Sequence, residues 1–403
     1  MKNKKIMTKK ILIIGAGFLQ DFVIKKAKQI GYKVYAVDGD ENAIGFLSAD
    51  EHAVISIVDK EKCLEYAIKN EVDGVITAAT DYGVLTAAYI AEKMGLRGIK
   101  YSVAELVKNK FETRKRLCVI ENDKNARIIG KGENIDFIAE QLQFPVIVKP
   151  ADGSGSRATT RVDLATELKN ACEFAIKESR IEKAIVETFF TGNEYGAESL
   201  VVNGKVHVLG IMRKIMTNPP YYAELGHCMP SGLNRRIENR AKKHVKKAIK
   251  ALGISFGSVN MDMIIDEYGK IHIVDVGARM GGNMIGPCVI PYGTGIAYVE
   301  NMIKNAVGEK VRLKKHAHKA VATRLLAFKG GKVVAIPDFK AIEKKYNVEI
   351  FEHISLGQTV NEYHTNLDGC GYVVAKADTV EKAERNAQNA FVEIEKVIFG
   401  NRK

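Results

Sequence analysis

Apolar and polar positions change their period several times along the chain, and the changes mark its parts. Near the start, short apolar runs at Ile11–Ile14, Lys33–Asp38, Ala53–Ile57 and Gly74–Thr77 read as strands. Helix-spaced stretches lie between them, as at Gln20–Ile30 and Lys60–Asn70, which predicts a small parallel α/β unit ending near Gly98. A helix is expected over Val103–Leu117, followed by an irregular connection rich in Asn, Asp and Gly. Strands are expected at Val146–Lys149, Ala184–Glu187 and Tyr195–Val202, then a hairpin with arms Val259–Asp266 and Ile271–Val276. Short strands around Ala320–Phe328, Lys332–Ala335 and Gly371–Ala375 precede a closing helix over Thr379–Phe399. No internal repeat or low-complexity linker interrupts the series.

The hairpin carries the first chemical signal. With its turn centred between Tyr268 and Gly269, Asp266 pairs with Ile271, and counting back places Asp262 opposite Asp275. Like charges facing across a ladder repel. A hard cation such as magnesium relieves them, because it takes oxygen ligands. Gly277-Ala278-Arg279-Met280-Gly281-Gly282 follows at once, an arginine within a backbone that a phosphate can approach closely.

Length and composition bound the answer without choosing it. The 403 residues suffice for two to four compact units, and 46% hydrophobic with 27% charged residues is the balance of a globular protein. A formal net charge of +13 favours anionic ligands. The six cysteines form no CxxC pair and no zinc spacing, which points to a reducing, cytoplasmic setting. The lysine-rich start runs into Ile11–Ile14 without the apolar stretch and cleavage site of a signal peptide, and no run has the length of a membrane span.

Three further segments bear on ligand chemistry. Gly15-Ala16-Gly17-Phe18-Leu19-Gln20 ends the first strand, but Gln20 stands where a dinucleotide fingerprint needs its third glycine. A Rossmann-like turn bordering a substrate cleft fits better than NAD binding. In Phe144–Arg157, a strand delivers Lys149 and a Gly/Ser loop then offers the amides of Gly153, Ser154, Gly155 and Ser156, a nest for phosphate oxygens beside a point charge. Ile185–Glu194 combines Phe189 and Phe190 with Glu187 and Glu194, the parts of an apolar base slot and a carboxylate for ribose hydroxyls.

Lys110 in Asn109-Lys110-Phe111-Glu112-Thr113-Arg114, Lys149 before the Gly/Ser loop, Glu187 with Glu194, and Asp262 with Asp275-Val276-Gly277-Ala278-Arg279 occur in an order that resembles the ATP-grasp superfamily, in its carboxylate–amine ligase branch. That branch includes L-amino-acid ligases, biotin-carboxylase-like and carbamoyl-phosphate-synthase large-chain-like enzymes and purine-pathway ligases. The resemblance covers nearly the full length. It implies α/β and α+β architecture: a Rossmann-like N-terminal domain (1–100), an ATP-grasp domain (101–310, with a lid at about 119–185) and a small C-terminal α+β domain (311–403). It also implies that Lys110, Lys149 and residues 153–156 contact ATP phosphates. Glu187, Thr188, Phe189 and Phe190 line the adenine slot, and Glu194 holds the ribose. Asp262 and Asp275 ligate Mg2+, or Mn2+ in its place. Arg279, with Lys149, is the catalytic group, and stabilises the acyl-phosphate. Gly281, Gly282 and Asn283 face the substrates. The chain departs from the family's usual pattern in having Asp at both acid positions and Gly277 where many members have Asn, and Asn283 is the substitute that the sequence offers.

The activity implied is ATP-dependent joining of a small carboxylate to an amine through an acyl-phosphate, with ADP and phosphate released. A purine-biosynthesis-type enzyme acting on a phosphoribosyl substrate is the alternative within the class, and a nucleotide- or NAD-binding protein without ligase activity the alternative outside it. Neither nucleic acid nor membrane is expected as a partner, and a homodimer is compatible with the resemblance. In the basic segment Arg235–Lys250, Ile237, Ala241, Val245, Ile249 and Leu252 recur at helical spacing, so it reads as an amphipathic helix with a solvated basic face. His316 and His318 lack a partner cluster for zinc, and Cys288 amid Gly and Pro reads as a buried small hydrophobe.

Overall fold

Four parallel strands open the chain in a computed structural model that describes residues 8–121, 126–153, 158–218, 222–316, 319–365 and 368–400. They are β1 (Lys10–Ile14), β2 (Lys33–Asp38), β3 (Glu51–Val54) and β4 (Gly74–Thr77), in the order β3-β2-β1-β4. Helices α1 (Phe18–Gln29), α2 (Lys60–Lys69) and α3 (Tyr82–Lys93) connect and cover them. The third strand begins two residues earlier than the pattern suggested. Gln20 explains the departure from a dinucleotide turn: its Nε2 donates to the Ala78 carbonyl at 2.5 Å, and its side chain lies over Gly15. The place a pyrophosphate would need at the start of α1 is filled by this chain's own glutamine.

The helix expected over Val103–Leu117 is two helices, α4 (Tyr101–Lys108) and α5 (Lys110–Glu121). Asn109 breaks it, because its side-chain oxygen accepts from the amides of Phe111 and Glu112 and caps α5 better than it would continue α4. The break sets Lys110 at the head of α5, where its amide donates to the Ala151 carbonyl.

A small antiparallel sheet follows, built from β5 (Arg127–Gly130), β6 (Val146–Pro150), β7 (Thr160–Val162) and β8 (Lys183–Thr188) in the order β5-β8-β6-β7. It is backed by α6 (Ile135–Ala139) and α7 (Leu168–Glu178) around Val148, Val162, Cys172 and Val186. The chain then enters an eight-stranded sheet through β9 (Asn193–Val202), β10 (Lys205–Met216) and β11 (Glu224–Met229). The tight β9–β10 turn uses Asn203 and Gly204, both at positive φ, the Asn-Gly chemistry of a two-residue hairpin. Helix α8 (Arg235–Ala251) buries Ala241, Val245, Ala248 and Ile249 and leaves its basic face outward, as the spacing predicts.

The hairpin arms are β12 (Gly257–Ile265) and β13 (Ile271–Gly277). Beyond them come α9 (Ile290–Thr294), α10 (Tyr298–Ala306), β14 (Ala320–Leu325), β15 (Lys329–Lys332), α11 (Phe339–Tyr346), β16 (Val348–Glu352), β17 (Thr359–Glu362), β18 (Gly371–Ala377) and α12 (Val380–Phe399). The large sheet runs β13-β12-β9-β10-β11-β14-β18-β16, so the last part of the chain shares a sheet with the hairpin. A core of α3–α5 and α8 side chains packs on one face of β9, β10, β12 and β13, and α12 packs on β14 and β18. The N-terminal unit docks where the Ala79 amide meets the Met280 carbonyl at 3.0 Å. No helix among the described residues is long and apolar enough to cross a membrane.

Candidate functional site

Asp262 and Asp275 are directly opposite in the β12–β13 ladder, as the sequence implies, but the route to that pairing differs. Ile271 pairs with Ile265, not with Asp266 as expected. Asp266 instead closes the turn, accepting from the amides of Tyr268 and Lys270. A bulge at Val274 then restores the register. Neighbouring elements pin that bulge. The Ile273 amide donates to Glu121, the Ile273 carbonyl accepts from Arg114, and the Val274 carbonyl accepts from Lys149 at 3.0 Å.

The acids do not face each other unrelieved. Lys110 Nζ lies 2.6 Å from Asp275 Oδ1 and Lys214 Nζ lies 3.0 Å from Asp262 Oδ2. Burial would raise the Asp275 pKa, but Lys110 and Lys149 bring it down to about 2. Burial would lower the Lys214 pKa, yet Asp262, Glu224 and Glu194 hold it far above the usual lysine range. Among the described residues no group of three or more His, Cys, Asp and Glu side chains could hold a metal ion. Two opposed carboxylates with no third protein ligand still fit magnesium, which commonly binds through one or two carboxylates and completes its shell with phosphate oxygens and water.

Glu187 departs from expectation. It is buried, and both carboxylate oxygens are taken, by Arg114 Nε at 2.6 Å and Lys149 Nζ at 2.5 Å. Arg114 also holds Glu121 at 2.9 Å, so an ion-pair chain ties α5 and β6 to β8 and β13. Burial would raise the Glu187 pKa, but Lys149 and Arg114 hold it at about 2; Lys149 itself is lowered by burial against the pull of Glu187. Glu187 therefore braces Lys149, and it lines a cavity with Lys110, Lys149 and Asp275. After Thr188, which ends β8, the amide of Phe189 is taken by the Pro145 carbonyl. Arg161 lies 4.5 Å above the Phe189 ring, and Phe190 stacks on His272 at 3.9 Å.

Glu194 comes off β9 facing the same cleft, 3.7 Å from Lys214, and burial raises its pKa against that lysine's pull. Gly153 lines a cavity with Asp81, Lys108, Lys110 and Asp275. Ser154, Gly155 and Ser156 lie outside the described residues, as does His318. Arg279 meets Asp81 of the N-terminal unit in a two-point contact, Nε to Oδ1 at 2.9 Å and Nη2 to Oδ2 at 3.0 Å. A side chain at Gly277 would collide with that pair, since a Cβ there would sit 2.9 Å from both Arg279 Cζ and Asp81 Oδ1. A side chain at Gly277 would thus have to shift the ends of Arg279 and Asp81.

Gly281 and Gly282 form the next turn. The Gly281 amide donates to Glu198, and Gly282 approaches Leu19 and Ala79 of the N-terminal unit. Asn283 Oδ1 accepts from Tyr372, and its side chain also bonds Glu224. Cys288 is buried, as expected.

Several cleft residues escaped the sequence reading: Lys214 and Glu198 on β10 and β9, Asn260 on β12, and Asp81; Glu224 and His227 on β11 join them. His227 Nε2 lies 2.6 Å from Glu224 Oε1. Burial lowers the His227 pKa, while Glu224 stays ionised beside Lys214 and His227 despite its own burial. Glu198 is fully buried and accepts from Tyr298, Asn260 and Gly281; burial lifts its pKa to about 7 against those hydrogen bonds. The Asn203-Gly204 pair was the available signal: it predicts a returning strand that brings Lys214 opposite Asn193, beside Glu194, and a bulge between Val208 and Gly210 shifts the register by one.

Residues 142–287 match the ATP-grasp domain family, and residues 324–398 match L-amino acid ligase C-terminal domain 2. The formate-dependent phosphoribosylglycinamide formyltransferase of Prochlorococcus marinus is 28% identical over 194 residues, 47% of this chain and 50% of that protein. D-alanine–D-alanine ligase B of Chromobacterium violaceum is 30% identical over 188 residues, 44% of this chain and 59% of that protein. The chain thus spans about half to three fifths of these two relatives. Among solved structures, an L-amino acid ligase from Bacillus licheniformis superposes with a TM-score of 0.82 at 21% identity, covering 96% of this chain and 98% of that one, a likeness of fold.

Proposed function

We propose that this chain, which carries an ATP-grasp domain followed by an L-amino acid ligase C-terminal domain, is an ATP- and magnesium-dependent ligase that joins a small carboxylate to an amine. The observation that carries the reading is the meeting of Lys110, Lys149, Asp262, Asp275 and Arg279 at one hairpin, drawn from α5, β6, β12, β13 and the turn after it. Cations and acids from separate segments converge there, which is what transfer of a highly charged phosphoryl group requires.

In this reading Lys110 and Lys149 neutralise the phosphate oxygens of ATP, with residues 153–156 folding over them. Residues 188–190 and Glu194 receive the nucleoside. Asp262 and Asp275 would hold the divalent cation, which would supply positive charge to offset that of the phosphate oxygens. A substrate carboxylate oxygen attacks the γ-phosphorus as ADP leaves. The amine nitrogen then attacks the acyl carbon, a proton leaves that nitrogen, and inorganic phosphate departs with the electron pair of the C–O bond. Arg279, fixed by Asp81, faces the acyl-phosphate oxygens. Gly281, Gly282, Asn283, Glu224 and His227 wall the substrate pocket. We divide the chain at about 100 and 310 on the same grounds.

The C-terminal match favours amino acids as substrates over phosphoribosyl amines. The test is phosphate release from ATP with paired amino acids, compared with formate or glycine plus phosphoribosyl amines. Turnover with the second set alone would move the assignment to the purine type, and ATP consumption with neither, across a broad panel, would remove the ligase reading.

A further inference from the structure

Lys214 is the least expected charge in the cleft. It projects from β10 with a side chain only 4% exposed and is reached by acids from three other strands. Its Nζ lies 3.0 Å from Asp262 Oδ2, 3.5 Å from Glu224 Oε2 and 3.7 Å from Glu194 Oε2. The residue is not needed to fill an apolar core, and its neighbours on the same face, Met212, Gly196 and His227, leave it directed at the hairpin acids.

We propose that Lys214 is a positioning residue that occupies the cation place at Asp262 in the nucleotide-free protein, so that a divalent cation enters only together with a nucleotide. The inference rests on the functional reading above and adds to it an order of binding and the residue that imposes it.

Both oxygen donors opposite each other on the hairpin already carry an ammonium group, Lys214 on Asp262 and Lys110 on Asp275. A free dication would have to displace both and find its remaining ligands in water alone. Glu224 and Glu194 are themselves engaged by Lys214, and among the described residues no group of three or more His, Cys, Asp and Glu side chains is arranged to hold a metal ion and offset that cost. A nucleotide changes both terms: its phosphates draw Lys110 away from Asp275 and supply further oxygen ligands. Lys214 can then leave Asp262 without becoming an unpaired buried charge, because Glu224 and Glu194 are already within 3.7 Å. An unpaired buried charge would cost several kcal/mol, so a lysine with a second and third acid in reach can exchange partners where a lone ion pair could not.

The experiment is Mn2+ binding followed by electron paramagnetic resonance, on the full chain, with and without ADP. Wild type should bind Mn2+ weakly alone and tightly with ADP. Lys214→Met should bind Mn2+ without ADP more than about tenfold tighter than wild type, since the ammonium group that competes for Asp262 is gone. Lys214→Arg should behave as wild type. Circular dichroism and a melting curve check that each variant is folded, and Lys214→Gln provides a second neutral variant should methionine fail to fold. Equal Mn2+ affinity of wild type with and without ADP, or no gain in either folded neutral variant, would overturn the proposal while leaving the ligase reading in place. Absence of Mn2+ binding to wild type even with ADP would instead refute the metal assignment on which the proposal rests.

Discussion

Asp262 and Asp275 sit face to face across β12 and β13, yet each is held by its own lysine, Lys214 at 3.0 Å and Lys110 at 2.6 Å. Repulsion between them, the feature that the sequence brings forward, is therefore already relieved before any metal arrives. This changes what removing either acid should do.

Without metal, Asp275→Asn should lower stability by about 1–2 kcal/mol, because Lys110 keeps no other acid at contact distance. Asp262→Asn should cost less, under about 1 kcal/mol, since Lys214 retains Glu224 and Glu194. Both should reduce ligase turnover by orders of magnitude in magnesium-ATP. Melting temperatures with and without magnesium-ATP, beside phosphate release, test the asymmetry. Equal gains from magnesium-ATP in wild type and both variants would remove the metal assignment.

Lys149→Ala should abolish nucleotide binding and also weaken the fold. A lysine whose charge served only phosphate would leave stability unchanged when removed, but Lys149 pairs with buried Glu187 at 2.5 Å. Arg114 remains as partner, so the expected loss is about 2–3 kcal/mol, below that for a fully orphaned buried acid. Chemical denaturation measures this, and a variant of parental stability would show that the pair contributes nothing.

Glu198 should impose a pH dependence on stability. Its folded pKa is raised from 4.5 to about 7, so the folded protein holds a proton that the unfolded chain has released. The contribution is fully present below about pH 4.5 and is lost as pH rises through 7. Glu198→Gln should flatten the stability profile between pH 5 and 8, gaining on the order of 2–3 kcal/mol relative to wild type at the upper end. Parallel profiles for the two proteins would contradict a neutral buried carboxyl.

Tyr82 lies between Lys108 and Arg180, each 4.3 Å from its ring, and Lys108 also donates to the Asp152 carbonyl. Tyr82 begins α3 and Arg180 follows α7, so the contact fastens the small four-stranded sheet to the N-terminal unit. Tyr82→Ala should release about 1–2 kcal/mol of docking energy. Hydrogen exchange in β6, β7 and α7 should quicken while β1 and β2 stay protected. Unchanged exchange there would show that the clamp does not hold the sheet.

Much of this was legible in the chain. Residues such as Val34, Val37, Val75 and Ile76 alternate with helical stretches strongly enough to give β2 and β4 their observed bounds, and α8 follows from Ala241, Val245 and Ile249. Lys149, Asp262, Asp275 and Arg279 stood out because a hairpin with facing acids and a strand leading into a Gly/Ser loop are locally recognisable, and Lys110 stood out through the ordered family resemblance. Lys214 and Glu198 did not. Each lies within a strand, and nothing in its neighbours tells whether it faces solvent or a cleft.

The pairing of Asp262 with Asp275 marks the boundary between the two kinds of information. Strand character is local, set by side-chain period, and the sequence determined it, whereas the turn is centred on Tyr268 and not between Tyr268 and Gly269 as expected. The register passes through a bulge at Val274 whose stability comes from Glu121, Arg114 and Lys149, residues 125 to 159 positions away. No local pattern encodes that. Likewise the family's ordered acids and lysines were fixed by the sequence, but which lysine serves which acid was decided only in three dimensions. Ion-pair partners are chosen by distance and burial, and both exist only once the sheet has brought β10 beside β9 and α5 against β13.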